Sequence, residues 1–173
     1  MIVVNLFGAP GSGKSTGAAY LFAKLKMAGI NAELVTEFAK DKVYEDSKEV
    51  FKNQTYILGK QSFKQSKIRD KVDVIITDSP LPLSIYYNGE KDIQVELSAL
   101  ALKIFDSYKN CNYFIKRVKP YNPSGRFQTE EEAIAIVNDM KKFLIDHGII
   151  FEERDGDYSG YDSIYNDIIT VLN

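Results

Sequence analysis

The chain has 173 residues, 45% of them hydrophobic, and a net charge of −2. That is enough for one well-buried domain core, and it gives no general attraction to nucleic acid. No apolar run nears the about 20 residues of a membrane span, and the single cysteine, Cys111, excludes an intrachain disulfide and suits a reducing cytoplasm.

The elements follow in chain order. Residues 2–7 are an apolar, β-branched run ending at Gly8. With no basic leader before it, the run predicts a strand that opens the fold and not a signal peptide. Residues 14–28 place Ala18, Leu21, Phe22 and Leu25 at helical spacing, and Gly29 follows as the C′ residue. Residues 30–36 predict a second strand, and 41–70 a polar helical stretch in two pieces broken near Lys52-Asn53. Val72–Thr77 is apolar on both faces, as suits a parallel strand covered by helices on each side. Residues 92–108 repeat apolar side chains at Ile93, Leu97, Leu100, Ala101 and Ile104, which predicts a helix, and a fourth strand follows over about 112–118. Thr129 and Glu132 form a capping box opening a helix with an inner face of Ala133, Ile136, Val137, Met140 and Leu144. After Gly148 come a fifth strand at 149–153 and a last helix at 162–172. The β-α-β-α order predicts one α/β domain over residues 1–173, a doubly wound five-stranded parallel sheet with helices on both faces.

Between the first strand and first helix stands Gly8-Ala9-Pro10-Gly11-Ser12-Gly13-Lys14-Ser15, which matches G-x-x-x-x-G-K-S/T. Glycines let the backbone turn and aim N–H groups at phosphate oxygens, and the start of the helix adds its positive end. Lys14 is placed to reach the β- and γ-phosphates of ATP, Ser15 to ligate Mg²⁺, and Thr16 to bond the α-phosphate. At about 7% glycine, two glycines at fixed spacing recur by chance in roughly one window in 200, and requiring Lys then Ser makes chance rarer still.

Asp78 ends the third strand, where ligands of such sheets collect, and is placed opposite Ser15 on the Mg²⁺ side. A helix-start or turn Asp is the rival reading, since Ser79-Pro80 follows. Lys116 to Arg126 holds four basic residues and no acidic one, broken by Pro120, Pro123 and Gly125. It predicts a basic lid loop over about 117–128 in which Arg117 and Arg126 stabilise a phosphoryl group in flight. Glu37 closes the second strand and is a candidate to orient or deprotonate an acceptor hydroxyl. Phe38, Tyr44, Tyr56, Tyr86 and Tyr87 are candidates to stack on a base, with the core as the competing destination. Gly156–Tyr161 is a candidate adenine contact after the fifth strand. Lys60, Lys64 and Lys67 share a helical face, either a solvated surface or a track for a polynucleotide backbone. His147 at a helix end and Cys111 beside a strand have no catalytic assignment.

Together the cradle Gly8–Thr16, Thr36-Glu37-Phe38, Thr77-Asp78-Ser79 and the basic loop into Thr129–Glu132 resemble the P-loop nucleoside and nucleotide kinases. The likeness extends to the ribosylnicotinamide kinase-like group and to phage-encoded P-loop kinases, over nearly the whole chain. It implies a five-stranded parallel sheet with a lid, Glu37 as a substrate-side acid, Asp78 as the magnesium-side acid, and Arg117 and Arg126 as lid arginines. The chain departs from the nucleoside-kinase pattern after Asp78, where Ser79-Pro80 stands in place of an arginine. The leading expectation is an ATP- and Mg²⁺-dependent kinase of a nucleoside-like small molecule with no membrane partner. The alternatives are a kinase of a hydroxymethyl pyrimidine base within phage DNA, held through Lys60, Lys64 and Lys67, and a P-loop ATPase switch acting through a protein partner.

Overall fold

The computed structural model describes residues 1–38, 48–120 and 130–173. Tyr44, Arg126, Thr129 and lid residues 121–128 lie outside the described residues. The five strands are β1 (Ile2–Phe7), β2 (Ala32–Val35), β3 (Val74–Thr77), β4 (Asn110–Lys116) and β5 (Glu152–Asp155). Among the described residues the helices are α1 (Lys14–Met27), α2 (Lys48–Lys52), α3 (Gln54–Ser66), α4 (Leu83–Tyr86), α5 (Gln94–Phe105), α6 (Glu130–Asp146) and α7 (Tyr158–Leu172), with a 3₁₀ turn at Lys91–Ile93 before α5.

The strands form one sheet in the order β2-β3-β1-β4-β5, and every pairing is parallel. β1 therefore lies at the centre, with β3 on one side and β4 on the other. The order reverses there, which puts the switch crevice at the carboxyl ends of β1 and its neighbours.

Both faces of β1 are buried, because its alternate residues serve two cores. Ile2, Val4 and Leu6 pack with Ala18, Leu21 and Leu25 of α1 and with Tyr161, Ile164 and Ile168 of α7. On the opposite face Phe7 packs with Phe105, Phe114, Met140 and Leu144, and Val3 with Ile75 and Tyr108. Asn5 is a buried polar residue between these apolar neighbours. Its amide donates to Asn110 Oδ1 at 2.9 Å and Asn112 Oδ1 at 3.0 Å. The Asn110 amide in turn donates to the Phe105 carbonyl at 2.6 Å, tying the end of α5 to the sheet. The buried Asn5 amide and the half-buried Asn110 amide thus find acceptors.

Several element boundaries differ from the sequence reading. β5 covers 152–155 and not 149–153, because Ile149 and Phe151 turn into the core beside Leu144 before the strand begins. The last helix starts at Tyr158 and not at 162, since the Asp157 side chain accepts from the Gly160 N–H at 2.9 Å and caps it. β4 begins two residues earlier than expected, and the short helix α4 was not foreseen. The break between α2 and α3 falls at Asn53, whose side chain caps α3 through the Tyr56 N–H. On α5, Leu97, Ala101 and Phe105 face inward, whereas Leu100 is 50% exposed.

This contrast predicts unequal costs on one helix. Leu97→Ala should lower unfolding free energy by about 2–5 kcal/mol, and Leu100→Ala by no more than about 0.5. Urea unfolding measures both, and equal losses would contradict the inward face assigned to α5.

Candidate functional site

The loop leaving β1 turns on three glycines with positive φ, 142° at Gly8, 80° at Gly11 and 100° at Gly13. A Cβ at Gly8 would stand 2.7 Å from the Ile115 carbonyl oxygen, so the loop crosses close over β4. Gly13 caps α1 in a left-handed conformation. Gly13 at the N-cap offers no side-chain hydrogen bond to the first amides of the helix, and no acidic residue stands in its first turn. The N–H groups there are oriented along the helix and keep their positive end for an anion. The Lys14 ammonium donates to the carbonyls of Gly8 at 2.7 Å and Ala9 at 3.1 Å, which holds it across the mouth of the loop. Ser15 and Thr16 follow in the first turn and are exposed.

The loop is braced from behind by the C-terminal segment. The Tyr161 hydroxyl donates to the Gly13 carbonyl at 2.9 Å. Its ring lies so close to α1 that a Cβ at Gly17 would come within 2.4 Å of it. Gly156, just after β5, passes under Ser12: a Cβ there would sit 2.2 Å from the Ser12 carbonyl oxygen. Its N–H donates to Lys116 at the end of β4 at 2.8 Å. Outside this contact, Asp162 of α7 takes hydrogen bonds from Tyr20 and Lys24 of α1, which hold its carboxyl below the ordinary range, Lys24 contributing most. The segment 156–161, a candidate adenine contact in the sequence, contains the Asp157-capped start of α7, and its Tyr161 faces the cradle backbone.

The ends of β2 and β3 form the second wall. Asp78 is 5% exposed, and its Oδ1 accepts the Glu37 backbone N–H at 3.1 Å. The two acids foreseen in the sequence are therefore joined, though through the backbone of one. Gln61 of α3 binds both strand ends: its Oε1 accepts the Phe38 N–H at 3.3 Å, and its amide donates to Thr77 Oγ1 at 3.3 Å. Thr77 Oγ1 also accepts the Ser79 N–H at 3.1 Å. Sequence reasoning missed Gln61. The available signal was three glutamines, Gln54, Gln61 and Gln65, on the same face as Ile57 and Leu58, and all five are buried. Tyr87, after α4, is partly exposed, yet its phenol is pushed up by desolvation and then by Tyr86 and the Glu37 carboxylate. It thus shares the neighbourhood of Glu37. Tyr86 packs edge-on against Phe143 and belongs to the core.

On the third side, Arg117 leaves β4 directly after Lys116 and is half-buried, while Val118, Lys119 and Pro120 are exposed. Lys116 pairs with Asp155 at 2.9 Å, joining the ends of β4 and β5. Among the described residues no group of three or more His, Cys, Asp or Glu side chains is arranged to enclose a metal. No described helix is long and apolar enough to cross a membrane. The His147 Nδ1–H donates to the Phe143 carbonyl at 2.9 Å, a helix-end contact far along the chain from the cradle.

Comparison with known proteins fits this geometry. The family model described as an AAA domain matches residues 3–159. The chain belongs to this AAA domain family. Comparison with curated proteins returns no match. Among solved structures, this AAA domain superposes on the NadR protein in complex with NR with a TM-score of 0.73 at 17% identity, over 99% of this chain and 51% of that one. The chain thus spans about half the length of that neighbour. Thymidylate kinase from Ehrlichia chaffeensis superposes with a TM-score of 0.56 at 14% identity, covering 99% and 98%. At these identities the likeness is one of fold, and the fold is the α/β P-loop kinase fold expected from the sequence.

The glycine contacts make a paired prediction for the AAA domain. Gly156→Ala drives a methyl into the Ser12 carbonyl and should cost about 1–3 kcal/mol. Gly59→Ala, with nothing within 4 Å on the exposed side of α3, should stabilise by about 0.5–1 kcal/mol. Thermal unfolding of the two variants checks the opposite signs.

Proposed function

We propose that this AAA domain is an ATP- and Mg²⁺-dependent kinase that phosphorylates a nucleoside- or nucleotide-like acceptor. The observation that carries the reading is the uncapped start of α1, with the Lys14 ammonium held 2.7 Å from the Gly8 carbonyl over a three-glycine turn. That arrangement concentrates N–H donors and one cation where a polyphosphate would lie. The kinase fold of the neighbours, one solved with NR and one a thymidylate kinase, supports an acceptor of nucleoside type.

The residues divide the work. Backbone N–H groups of Gly8 to Thr16 bind the phosphates, Lys14 neutralises the β- and γ-phosphates, and Thr16 reaches the α-phosphate. Ser15 and Asp78 are the Mg²⁺-side groups. Their chemistry fits that ion, which takes one or two protein oxygens plus substrate phosphates and waters instead of an enclosing cage. Asp78 uses Oδ1 on the Glu37 amide and keeps Oδ2 for this purpose. When bound, Mg²⁺ neutralises charge on the phosphates. Arg117 and Arg126 stabilise charge on the equatorial oxygens of the transferring group, and Glu37 orients or accepts the proton of the acceptor hydroxyl. Gln61 sets the spacing of the β2 and β3 ends and so positions Glu37 relative to Asp78.

Three variants test these roles. Lys14→Ala should abolish transfer and greatly weaken ATP binding measured by calorimetry. Arg126→Ala should reduce kcat by about 10³- to 10⁵-fold with little loss of ATP affinity, and equal effects on both would rule out a transition-state role. Glu37→Gln should slow transfer and leave ATP affinity intact; unchanged transfer would remove Glu37 from the chemistry. Across a panel of nucleosides, nucleotides and oligonucleotides, an acceptor should raise ATP turnover, and a panel with no such effect would leave an ATPase in place of a kinase.

A further inference from the structure

The outer face of α3 has properties the proposed activity on a free small molecule does not use. From Phe51 to Arg69 the sequence holds five basic residues and no acidic one, in a chain whose net charge is −2. Successive helical residues are about 100° apart, so Tyr56, Lys60, Phe63 and Lys67 fall in one stripe, with Lys64 at its margin. The buried face, Gln54, Ile57, Leu58, Gln61 and Gln65, points the opposite way. Phe63 is 65% exposed and Tyr56 44%, unusual positions for aromatic rings on a helix with a well-filled inner face.

The stripe runs into the crevice. The Lys60 ammonium lies 5.4 Å over the Tyr56 ring, and Tyr56 meets Phe38 edge-on at 5.6 Å between centroids. Phe38 directly follows Glu37 at the end of β2. Lys64 donates to the Thr36 carbonyl at 3.0 Å and lies 5.9 Å over the Phe38 ring, joining the helix face to the same wall. Arg69 is engaged elsewhere, on Ser107 and the Tyr108 ring, so the stripe ends at Lys67.

We propose that this face is a docking track for single-stranded nucleic acid, leading a nucleotide of the strand past Tyr56 and Phe38 toward Glu37. The inference deepens the kinase reading, on which it rests for what happens in the crevice. Alternating cations and exposed rings are what an unpaired strand requires, since lysines follow the phosphates and aromatic faces accept bases without regard to sequence. From Tyr56 to Lys67 the stripe is about 16 Å long, room for several nucleotides of an extended strand. A duplex hides its bases and would leave both rings without a partner. A lipid surface is flat, whereas this stripe turns down into a crevice between strand ends.

The test is fluorescence anisotropy of a labelled mixed-sequence single strand with the whole chain, without nucleotide. Three lysine–phosphate contacts should give a log–log salt slope of about −2, falling by about 1.4 in magnitude in Lys60→Ala/Lys67→Ala. Phe63→Ala, which removes an exposed ring and leaves the fold intact, should weaken binding about 5- to 150-fold. The matching duplex and phosphatidylserine vesicles should bind less well than the strand. Equal binding of duplex or vesicles, or strand binding unchanged by Phe63→Ala and Lys60→Ala/Lys67→Ala, would overturn the inference. ATP calorimetry on the same preparations separates the two failures. Absent strand binding in a protein that binds ATP removes the track alone, whereas strand binding in a protein without ATP affinity supports the track and removes the kinase reading.

Discussion

The contact on which the candidate site depends is the approach of the C-terminal segment to the back of the first loop. Gly156 passes so near Ser12 that no side chain fits between them, and the Tyr161 hydroxyl bonds the Gly13 carbonyl. A loop built from three glycines in left-handed or extended positive-φ conformations has little stiffness of its own, since glycine gains most conformational freedom on unfolding. The backing supplies that stiffness. It also explains why the last helix starts earlier than its apolar periodicity suggests: Tyr161 must lie in the first turn of α7 to reach α1, and Asp157 caps the helix at the place that puts it there. The Tyr20–Asp162–Lys24 group fastens the same two helices on their outer side.

The two walls of the crevice are made differently. The cradle is backbone, with N–H groups presented by φ values that only glycine adopts readily. The opposite wall is side-chain work, in which Asp78 holds the Glu37 amide and Gln61 holds Phe38 and Thr77. A backbone cradle keeps its N–H groups whatever side chains surround it, whereas a wall of side chains changes its chemistry by substitution while the cradle stays as it is. The lack of an arginine after Asp78, where Ser79-Pro80 stands, falls on this second wall.

What could be read in the sequence follows the same division. The cradle was legible because its chemistry is contiguous: eight residues fix turn, charge and helix start, and an apolar strand leads into them. The β-α order was legible because β1 and β3 are buried on both faces and appear as unbroken apolar runs. β5 was misplaced because its residues, Glu152 to Asp155, are charged and mostly exposed. A sheet-edge strand with one parallel neighbour needs no apolar alternation, and of the apolar run before it Ile149 and Phe151 pack against α6 while Ile150 is exposed. The apolar repeat that includes Leu100 marked the helix but not its inner face, since α5 buries only the narrower line of Leu97, Ala101 and Phe105.

Gln61 was illegible for a physical reason as well. A glutamine on an amphipathic helix resembles a solvated residue unless something at a distance consumes both ends of its amide. Here those partners, Phe38 just beyond β2 and Thr77 at the end of β3, are separated from it by 23 and 16 residues. Burying an amide is tolerable only when it is bonded, so the presence of Gln61 in the interior implies that the β2 and β3 ends need a fixed spacing. The same helix then has two duties on opposite faces. Its inner amide holds the acid-bearing strand ends in register, and its outer stripe of lysines and rings borders the crevice those ends form. Because Gln61 of α3 is bonded to Thr77 of β3 and to Phe38 just beyond β2, the outer stripe stands at a defined distance from Glu37.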